Sequence, residues 1–528
     1  MSKTFYITTP IYYTSGNLHI GHAYTTVICD AIARYKKMRG YDVFYLTGTD
    51  EHGQKVQQKA LQANKTPKQF VDELVNGIKE LWSNLKIDYN HFIRTTDDYH
   101  VETVQKVFSK LIEQGDIYKG VYEGWYCTPC EAFFTESQLD ENHNCPDCGR
   151  PVHKAQEDAY FFKMSKYADK LIKYYEEHPE FVEPESRKNE MINSFLKPGL
   201  EDLCVSRTSF DWGVKVKEDP KHVVYVWIDA LTNYISALGY TQENDDLFKK
   251  FWHNDENHEI LHIVGKEIVR FHVIYWPIIL LALDLPLPTK IFAHGWIIMK
   301  DGKMGKSKGN VVEPNVLINR YGLDALRYYL TNAIPLGNDG LFTPELFIEK
   351  VNTDLANNLG NLLSRTVSMV IKYFDGVVPT YNGTLNEIDE NLEKDAKKFI
   401  NRYEEHFDKY EVDEASSAVF DYLSRANKYI DESQPWVLAK DESKREELAS
   451  VMTHLVLALY QSAIMLQPFL VETPSKIFEQ LGASTPNYED LRNLNAVDGL
   501  NVVKGTPLFP RLEIEKEIEY IQSNMPSK

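Results

Sequence analysis

Thr4-Phe5-Tyr6-Ile7-Thr8-Thr9 is β-rich, Ser15-Gly16-Asn17 is a turn, and Ile20 to Met38 reads as a helix ending near Gly40. Val43 to Leu46 is the next apolar run, and it opens into the loop Thr47-Gly48-Thr49-Asp50-Glu51-His52-Gly53. Strand, helix, strand at this spacing predicts a βαβ unit, and with it a parallel sheet that takes ligands at the carboxyl ends of its strands. The first turn carries no Gly-x-Gly-x-x-Gly, so a nucleotide-binding architecture is expected without that fingerprint.

Outward from this unit the pattern breaks. From about Val121 to Val224 the chain runs in short, irregular segments containing Cys and aromatic residues, which reads as an insertion between two halves of the sheet. The β-rich runs resume at Tyr225-Val226-Trp227, at Ile260 to Val264 and at Ile291-Phe292-Ala293. Thr343 before Pro344 and Glu345 is a helix start. Leu355, Leu359, Leu362, Leu363 and Val370 then recur at helical spacing, as do apolar residues from Ala418 to Tyr429 and from Leu455 to Phe469. The last third is expected to be helical, with a loop over Asp375 to Asn386 and an irregular stretch after Leu481.

At 528 residues the chain exceeds one ordinary core and should form three or four units. With 58 Lys+Arg against 77 Asp+Glu, the net charge of -19 disfavours unspecific binding to polyanions, so a nucleic-acid partner would have to be held by local basic patches. The N-terminus shows no export signal. The most apolar run, Val273 to Leu283, contains Pro277 and is too short to cross a bilayer, so no membrane partner is expected. Four of six cysteines form two Cys-x-x-Cys pairs while Cys29 and Cys204 stand alone, a pattern suited to a reducing, cytoplasmic compartment with a metal site.

Two motifs carry the chemistry. His19-Ile20-Gly21-His22 opens the first helix, where unpaired backbone N–H groups and two imidazoles can hold nucleotide phosphates and Gly21 lets the nucleotide approach. Alone, these four residues are equally at home as a helix cap. Lys303-Met304-Gly305-Lys306-Ser307-Lys308-Gly309-Asn310 places three lysines in a Gly-containing loop that can fold over a triphosphate; alone it is a solvated basic turn. Together they resemble the paired signatures of class I aminoacyl-tRNA synthetases. Gly305 stands where the second motif usually has serine, so that hydroxyl is not supplied; Lys306 is retained.

Ile7 to Tyr13, Thr49 to Gly53, Tyr225 to Ala230 and Gly265 to His272 extend this resemblance to the methionyl-tRNA synthetases over nearly the whole chain. The resemblance implies a Rossmann-like catalytic domain in two halves, residues 1–118 and 225–342, split by a zinc-binding connective insertion at 119–224 and followed by an all-α anticodon-binding domain at 343–528. It implies that Asp50 and the backbone of Ile11 hold the ammonium of L-methionine. Trp227, Ala230, Tyr234, Ile268, Phe271, His272 and Trp276 would line the side-chain pocket, where sulfur–aromatic contacts contribute about 0.3 to 1.5 kcal/mol each and Tyr234 and His272 can donate to the sulfur. His19, His22, Lys303 and Lys306 would stabilise the transition state, with Gly21, Gly265, His294 and Gly295 completing the ATP site and Mg²⁺ bridging the phosphates.

Cys127-Thr128-Pro129-Cys130 and Cys145-Pro146-Asp147-Cys148, separated by residues 131–144, match tetrahedral zinc spacing. Four thiolates leave no open position, so the Zn²⁺ should be structural; His143 and His153 are the nearest alternative ligands. In the family such an insertion helps position the acceptor end of tRNA. Asn361, Arg365, Pro435 and Trp436 resemble its anticodon-reading elements, with Trp436 stacking on a base. The partner is then tRNA(Met), initiator and elongator, with no DNA. No appended oligonucleotide-binding domain is read after the helical domain, and a monomer is therefore expected.

Four rivals are weighed against this reading. Leucine, isoleucine and valine enzymes carry a far larger editing insertion, and cysteinyl enzymes use zinc in the amino-acid site. A small nucleotidylyltransferase would need neither the zinc insertion nor the helical domain, and a catalytically silent tRNA-binding module would not need His19, His22 and Lys306. The residues show no Ser/His/Asp or Cys/His nucleophile, as expected where ATP activates a carboxylate directly.

Overall fold

The computed structural model describes residues 3–525 apart from Ser15, residues 128–131, Thr135, residues 137–138, residues 146–148, Asp301, residues 305–309 and Thr485. Its core is a parallel sheet built on the strand Thr4–Thr8, every residue of which is buried. This strand lies between Asp42–Asp50 and His258–Gly265, in register Tyr6↔Phe44 and Tyr6↔Ile260. His91–Arg94 pairs with the far edge of Asp42–Asp50, and Lys290–His294 with the far edge of His258–Gly265. In chain order the five longer strands are arranged 3-2-1-4-5, so the direction of winding reverses between Thr4–Thr8 and His258–Gly265. In such a sheet, ligands bind at the carboxyl ends beside that reversal.

The helix Ile20–Met38 crosses from the first strand to the second, as the spacing predicts. Its apolar stripe, including Val27, Ile28, Ile32 and Tyr35, is fully buried. The predicted insertion contains a four-stranded antiparallel sheet of Ala132–Phe134, Ile117–Cys127, His153–Phe162 and Leu203–Cys204. Part of the same stretch belongs elsewhere: Val182–Glu183 pairs in parallel with Lys290–His294 and becomes the edge of the main sheet. A two-residue strand has no periodicity to read; its partner defines it.

The C-terminal third is helical, with Asn361–Phe374, Glu387–Asp408, Val412–Ser433, Arg445–Leu466 and Thr473–Leu481 as its main members. Glu442–Leu466 is long and apolar enough to cross a bilayer, but it is the central helix here and 94% of its apolar window is buried within the protein. The stretch after Leu481, expected to be irregular, ends in a further helix, Ile514–Ser523. That helix buries only Glu517 and Ile521, and Glu517 receives a two-pronged hydrogen bond from Arg320 and a bond from the Tyr321 hydroxyl.

One buried ion pair, through the further bonds of its guanidinium, ties the helical third to the first helix. Arg327 and Asp30 both have fully buried side chains, and Arg327 Nη2 lies 2.7 Å from Asp30 Oδ2. The guanidinium also donates to the carbonyls of Phe469, Pro468 and Leu85, while Asp30 accepts from Arg34 and from the Asp88 backbone N–H. Removing one charge of such a pair strands the other, at about 3–5 kcal/mol. Asp30→Asn is therefore expected to lower stability by about 3 kcal/mol, seen as an earlier denaturant midpoint; an unchanged midpoint would mean that the pair does not hold the two parts together.

Candidate active site

The helix start is built by its own histidines. His19 is the cap residue; its Nδ1 accepts from the Gly21 backbone N–H at 3.1 Å, and the His19 backbone N–H donates to His22 Nδ1 at 3.1 Å. The capping reading of this motif is thus correct as geometry, and it does not compete with phosphate binding. With each Nδ1 accepting, the ring proton of each neutral imidazole resides on Nε2, a donor for an anion at the helix start. A Cβ on Gly21 would come within 2.9 Å of the His19 ring, so the cap itself requires glycine.

The chain just after the second motif reaches the same place. The Ile20 backbone N–H donates to the Val312 carbonyl at 3.1 Å, immediately after that motif. The Lys303 backbone pairs with Ile298, Met304 and Asn310 are buried, and Gly305, Lys306, Ser307, Lys308 and Gly309 lie outside the described residues. Gly265 and His294 end adjacent strands, paired with each other in register. His294 Nδ1 donates to the Gly295 carbonyl at 2.7 Å, so its Nε2 accepts from the Thr25 hydroxyl of the first helix at 2.8 Å. A Cβ on Gly295 would lie 2.1 Å from the Asn338 backbone, so that close approach admits no side chain. Two side chains that the motifs do not single out join here: Trp296 Nε1 donates to Glu267 at 2.6 Å, and Lys266 pairs with Asp339 over the Trp296 ring.

Beside this start opens a cavity of about 580 Å³. Seven of the nine residues expected around the amino acid line it: Ile11, Asp50, Trp227, Ala230, Tyr234, Ile268 and His272. The other two form the layer behind. Phe271 stacks on Trp227 at 3.4 Å between ring centroids, and Trp276 is fully buried and donates to His262. Tyr12 connects the cavity to the helix start, because its hydroxyl bonds Thr26 and its ring stands edge-on to His22 while Ile11 and Tyr13 face the cavity.

At the apolar end Tyr234 and His272 satisfy each other, while the buried Oδ1 of Asn233, which also lines the cavity, has no partner. His272 Nδ1 donates to the Ile268 carbonyl at 3.0 Å, so its Nε2 accepts from the Tyr234 hydroxyl at 2.7 Å. Burial holds the His272 imidazole down at about 4, so it is neutral near pH 7. The expectation that both residues donate to a ligand sulfur is not met in this arrangement, because each proton already has an acceptor.

The other end is charged. Asp50 is buried, its Oδ1 has no hydrogen-bond partner, and burial followed by the charge of Asp229 pushes it up to about 8. Asp229 has both oxygens occupied, Oδ2 by His52 Nδ1 at 2.7 Å and Oδ1 by His100 Nε2 at 2.9 Å. Burial alone would raise Asp229, but His52 and His100 outweigh it and hold it at about 2. Ser236 lies 2.7 Å from His100 Nδ1, which completes a Ser–His–Asp chain that the sequence does not reveal. Both Ser236 and His100 are buried behind the cavity, so the chain orients Asp229 and presents no nucleophile.

In the insertion, Cys127 ends a strand and Cys145 begins a turn closed by the Gly149 N–H on its carbonyl. Both are buried and pack in one small cluster with Val152. Cys130 and Cys148 lie outside the described residues. One buried thiol from each knuckle in a common cluster fits a tetrathiolate site. Of the alternative ligands, His143 bonds Glu136 at 2.6 Å, and the His153 ring sits edge-on to Tyr126. In the helical third, Asn361 and Arg365 lie one turn apart on the helix Asn361–Phe374. Gln434, in a left-handed conformation, ends the helix Val412–Ser433, after which Pro435 is buried and Trp436 is 42% exposed. Of this pair the proline is the packing element, and the tryptophan faces solvent.

Comparison with known proteins agrees with this geometry. A family model described as "tRNA synthetases class I (M)" matches residues 5–158 and 149–367, and one described as "Anticodon binding domain of methionyl tRNA ligase" matches residues 378–522. The chain is 58% identical to methionine–tRNA ligase 1 of Bacillus cereus, over 100% of this chain and 81% of that protein. It is 59% identical to the methionine–tRNA ligase of Bacillus subtilis, over 99% and 80%. Its structure is similar to that of the Mycobacterium tuberculosis methionyl-tRNA synthetase in complex with methionyl-adenylate, with a TM-score of 0.88, 39% identity and coverage of 96% and 100%.

Proposed function

The chain belongs to the methionyl-tRNA synthetase family of class I aminoacyl-tRNA synthetases, and we propose that this cavity and the adjoining helix start bind methionine and ATP side by side, form methionyl-adenylate and pass the methionyl group to tRNA. The observation that supports the reading is the Ile20–Val312 bond, which holds the residue two places after the second motif at the start of the first helix, together with the buried, partnerless carboxylate oxygen of Asp50.

Asp50 and the Ile11 carbonyl receive the ammonium, since a buried cation requires a carboxylate or carbonyl partner. The side chain then lies among Trp227, Ala230, Tyr234, Ile268 and His272, with Phe271 and Trp276 supporting that wall. Its carboxylate oxygen attacks the α-phosphorus of ATP in line; the new O–P bond forms as the bond to the β-phosphate oxygen breaks, and pyrophosphate leaves. The Nε2–H groups of His19 and His22 donate to phosphate oxygens as charge builds, and Lys303 and Lys306 neutralise the departing pyrophosphate. Mg²⁺ enters as the counter-ion of the triphosphate. Gly265, His294 and Gly295 form the strand-end surface on which the adenosine rests. A terminal ribose hydroxyl of tRNA then attacks the acyl carbonyl; the ester C–O bond forms as the C–O bond to the phosphate breaks, and AMP leaves with the hydroxyl proton passing to its phosphate.

Binding of the anticodon by Asn361, Arg365, Pro435 and Trp436 is supported by the exposed Trp436 ring beyond a left-handed helix end. A structural Zn²⁺ held by Cys127, Cys130, Cys145 and Cys148 is supported by the two buried thiols. Bound there, it would link the two knuckles and contribute folding free energy to the insertion.

Methionine-dependent ATP–pyrophosphate exchange, run with each of the twenty amino acids and no tRNA, is expected to proceed with methionine alone; exchange with another amino acid would overturn the pocket assignment. Trp436→Ala should leave that exchange unchanged and raise KM for tRNA about tenfold, the effect of one lost base stack; unchanged charging would remove Trp436 from the anticodon site. Elemental analysis is expected to find about one zinc per chain, lost in Cys127→Ser together with order in residues 119–162 by hydrogen exchange; a metal-free protein with an ordered insertion would sink the zinc assignment.

A further inference from the structure

Asp50 and Asp229 line one cavity, and they are provided for differently. Asp229 arrives on the helix Val226–Ser236 with an imidazole on each oxygen, one from His52 and one from His100 of the helix Asp98–Glu113. Asp50 accepts from the His52 backbone N–H, and its Oδ1 is buried with no partner. The surrounding charges do not make good the difference. Glu51, next in the chain, is committed to a two-pronged pair with Arg94, and the His52 imidazole is turned to Asp229. Tyr13, on the neighbouring strand, is raised by burial and by Asp50 and brings no positive charge. Arg207 and Lys55 line the same cavity; Arg207 bonds Cys204 and lies between the rings of Tyr122 and Tyr225. Among the described residues no cation pairs with Asp50.

A buried carboxylate beside a second, permanently charged one retains a proton unless a cation comes to it. We propose that Asp229, clamped between His52 and His100, is a positioning residue that keeps Asp50 in its acid form in the empty pocket, so that methionine binds by exchanging its ammonium for that proton. The inference rests on the assignment of Asp50 to the ammonium. In the step, the Asp50 O–H bond breaks, its electrons remain on the carboxylate, the ammonium of methionine takes up that charge intact, and one proton leaves to solvent. The empty site thereby carries no uncompensated buried charge, and an amine-free analogue displaces nothing. The direction in which Asp50 is shifted, upward by burial and by Asp229, agrees with this arrangement.

The sign follows from linkage. Below the pH at which free Asp50 ionises, each unit of falling pH makes displacement of its proton about tenfold harder. Calorimetric titration of the full chain with methionine at pH 7, in buffers of different ionisation enthalpy, should show release of about one proton. The Kd should tighten about tenfold per pH unit from about pH 6 to 8 and then level. Asp229→Asn removes the like charge and leaves burial, so it should move the pH dependence to lower pH and reduce the proton release at pH 7; an unchanged release would remove Asp229 from this role. His100→Gln leaves Asp229 less compensated, so it should move the dependence to higher pH and weaken binding several-fold at pH 7 while matching the wild type near pH 9. A merely structural network would weaken both variants at every pH. His52→Gln tests the other proton source: release persists if Asp50 is the donor, and its loss would overturn the proposal. Wild-type binding with no proton release and a flat Kd would also overturn it. Asp50→Asn binding methionine as tightly as the wild type would instead overturn the underlying ammonium assignment.

Discussion

The buried contact of Arg327 with Asp30 is the constraint on which the rest of the structure hangs. Asp30 sits in the middle of the first helix, and Arg327 simultaneously grips the turn after the central helix of the C-terminal third. A buried pair of this kind contributes little net stability compared with an apolar substitute, but it tolerates only one geometry. It therefore fixes the azimuth of the first helix, and with it the direction in which the helix start points. Asp324, three residues before Arg327, accepts from the backbone of Val471, Glu472 and Thr473, and so caps the next helix from the same position. The helical third is thus oriented on the sheet by carboxylates and a guanidinium, with apolar packing filling the space between them.

That orientation separates two electrostatic environments by the width of one short strand. On the first-helix side of Tyr12–Tyr13 are the helix start and its two histidines, suited to anions. On the other side are Asp50 and Asp229, suited to a cation. An amino acid carries both charges on groups attached to one carbon, so under the proposed assignment these two environments would orient it with the carboxylate toward the phosphates. Its entropic cost is met by the scaffold, since Ile11, Asp50 and His19 all leave from strand ends or helix starts of one sheet.

How much of this was legible follows the range of the interactions. The βαβ unit, the helical third and both motifs are written in local periodicity or in residues adjacent in the chain, and they could be read directly. The Val182–Glu183 edge strand and the helix Ile514–Ser523 could not, because the first is defined by its partner and the second by Arg320, nearly two hundred residues earlier. The Ser236–His100–Asp229–His52 chain was invisible for the same reason. Its members come from a loop and two helices, and His52 and Asp229 lay in quoted motifs without any local sign that they would meet. The role of Tyr234 and His272 was misread in one respect, since two donors seen singly in sequence turn out to be donor and acceptor for each other.

That last bond bears on selectivity. A pocket with an unpaired donor or acceptor rejects ligands that fail to satisfy it, because the unsatisfied group bears the full desolvation penalty. Here the hydroxyl proton of Tyr234 goes to His272, and the imidazole proton of His272 to the Ile268 carbonyl, so no unsatisfied proton is left to distinguish a thioether from a thiol. Under the proposed assignment, what remains is shape, the contact of sulfur with aromatic faces and the unpartnered Oδ1 of Asn233. A missing methyl in such a pocket is worth about 1–3 kcal/mol, which separates methionine from homocysteine only modestly at the binding step. Under the same assignment a larger discrimination would arise after activation, where the shorter side chain would leave its thiol free to move within the cavity.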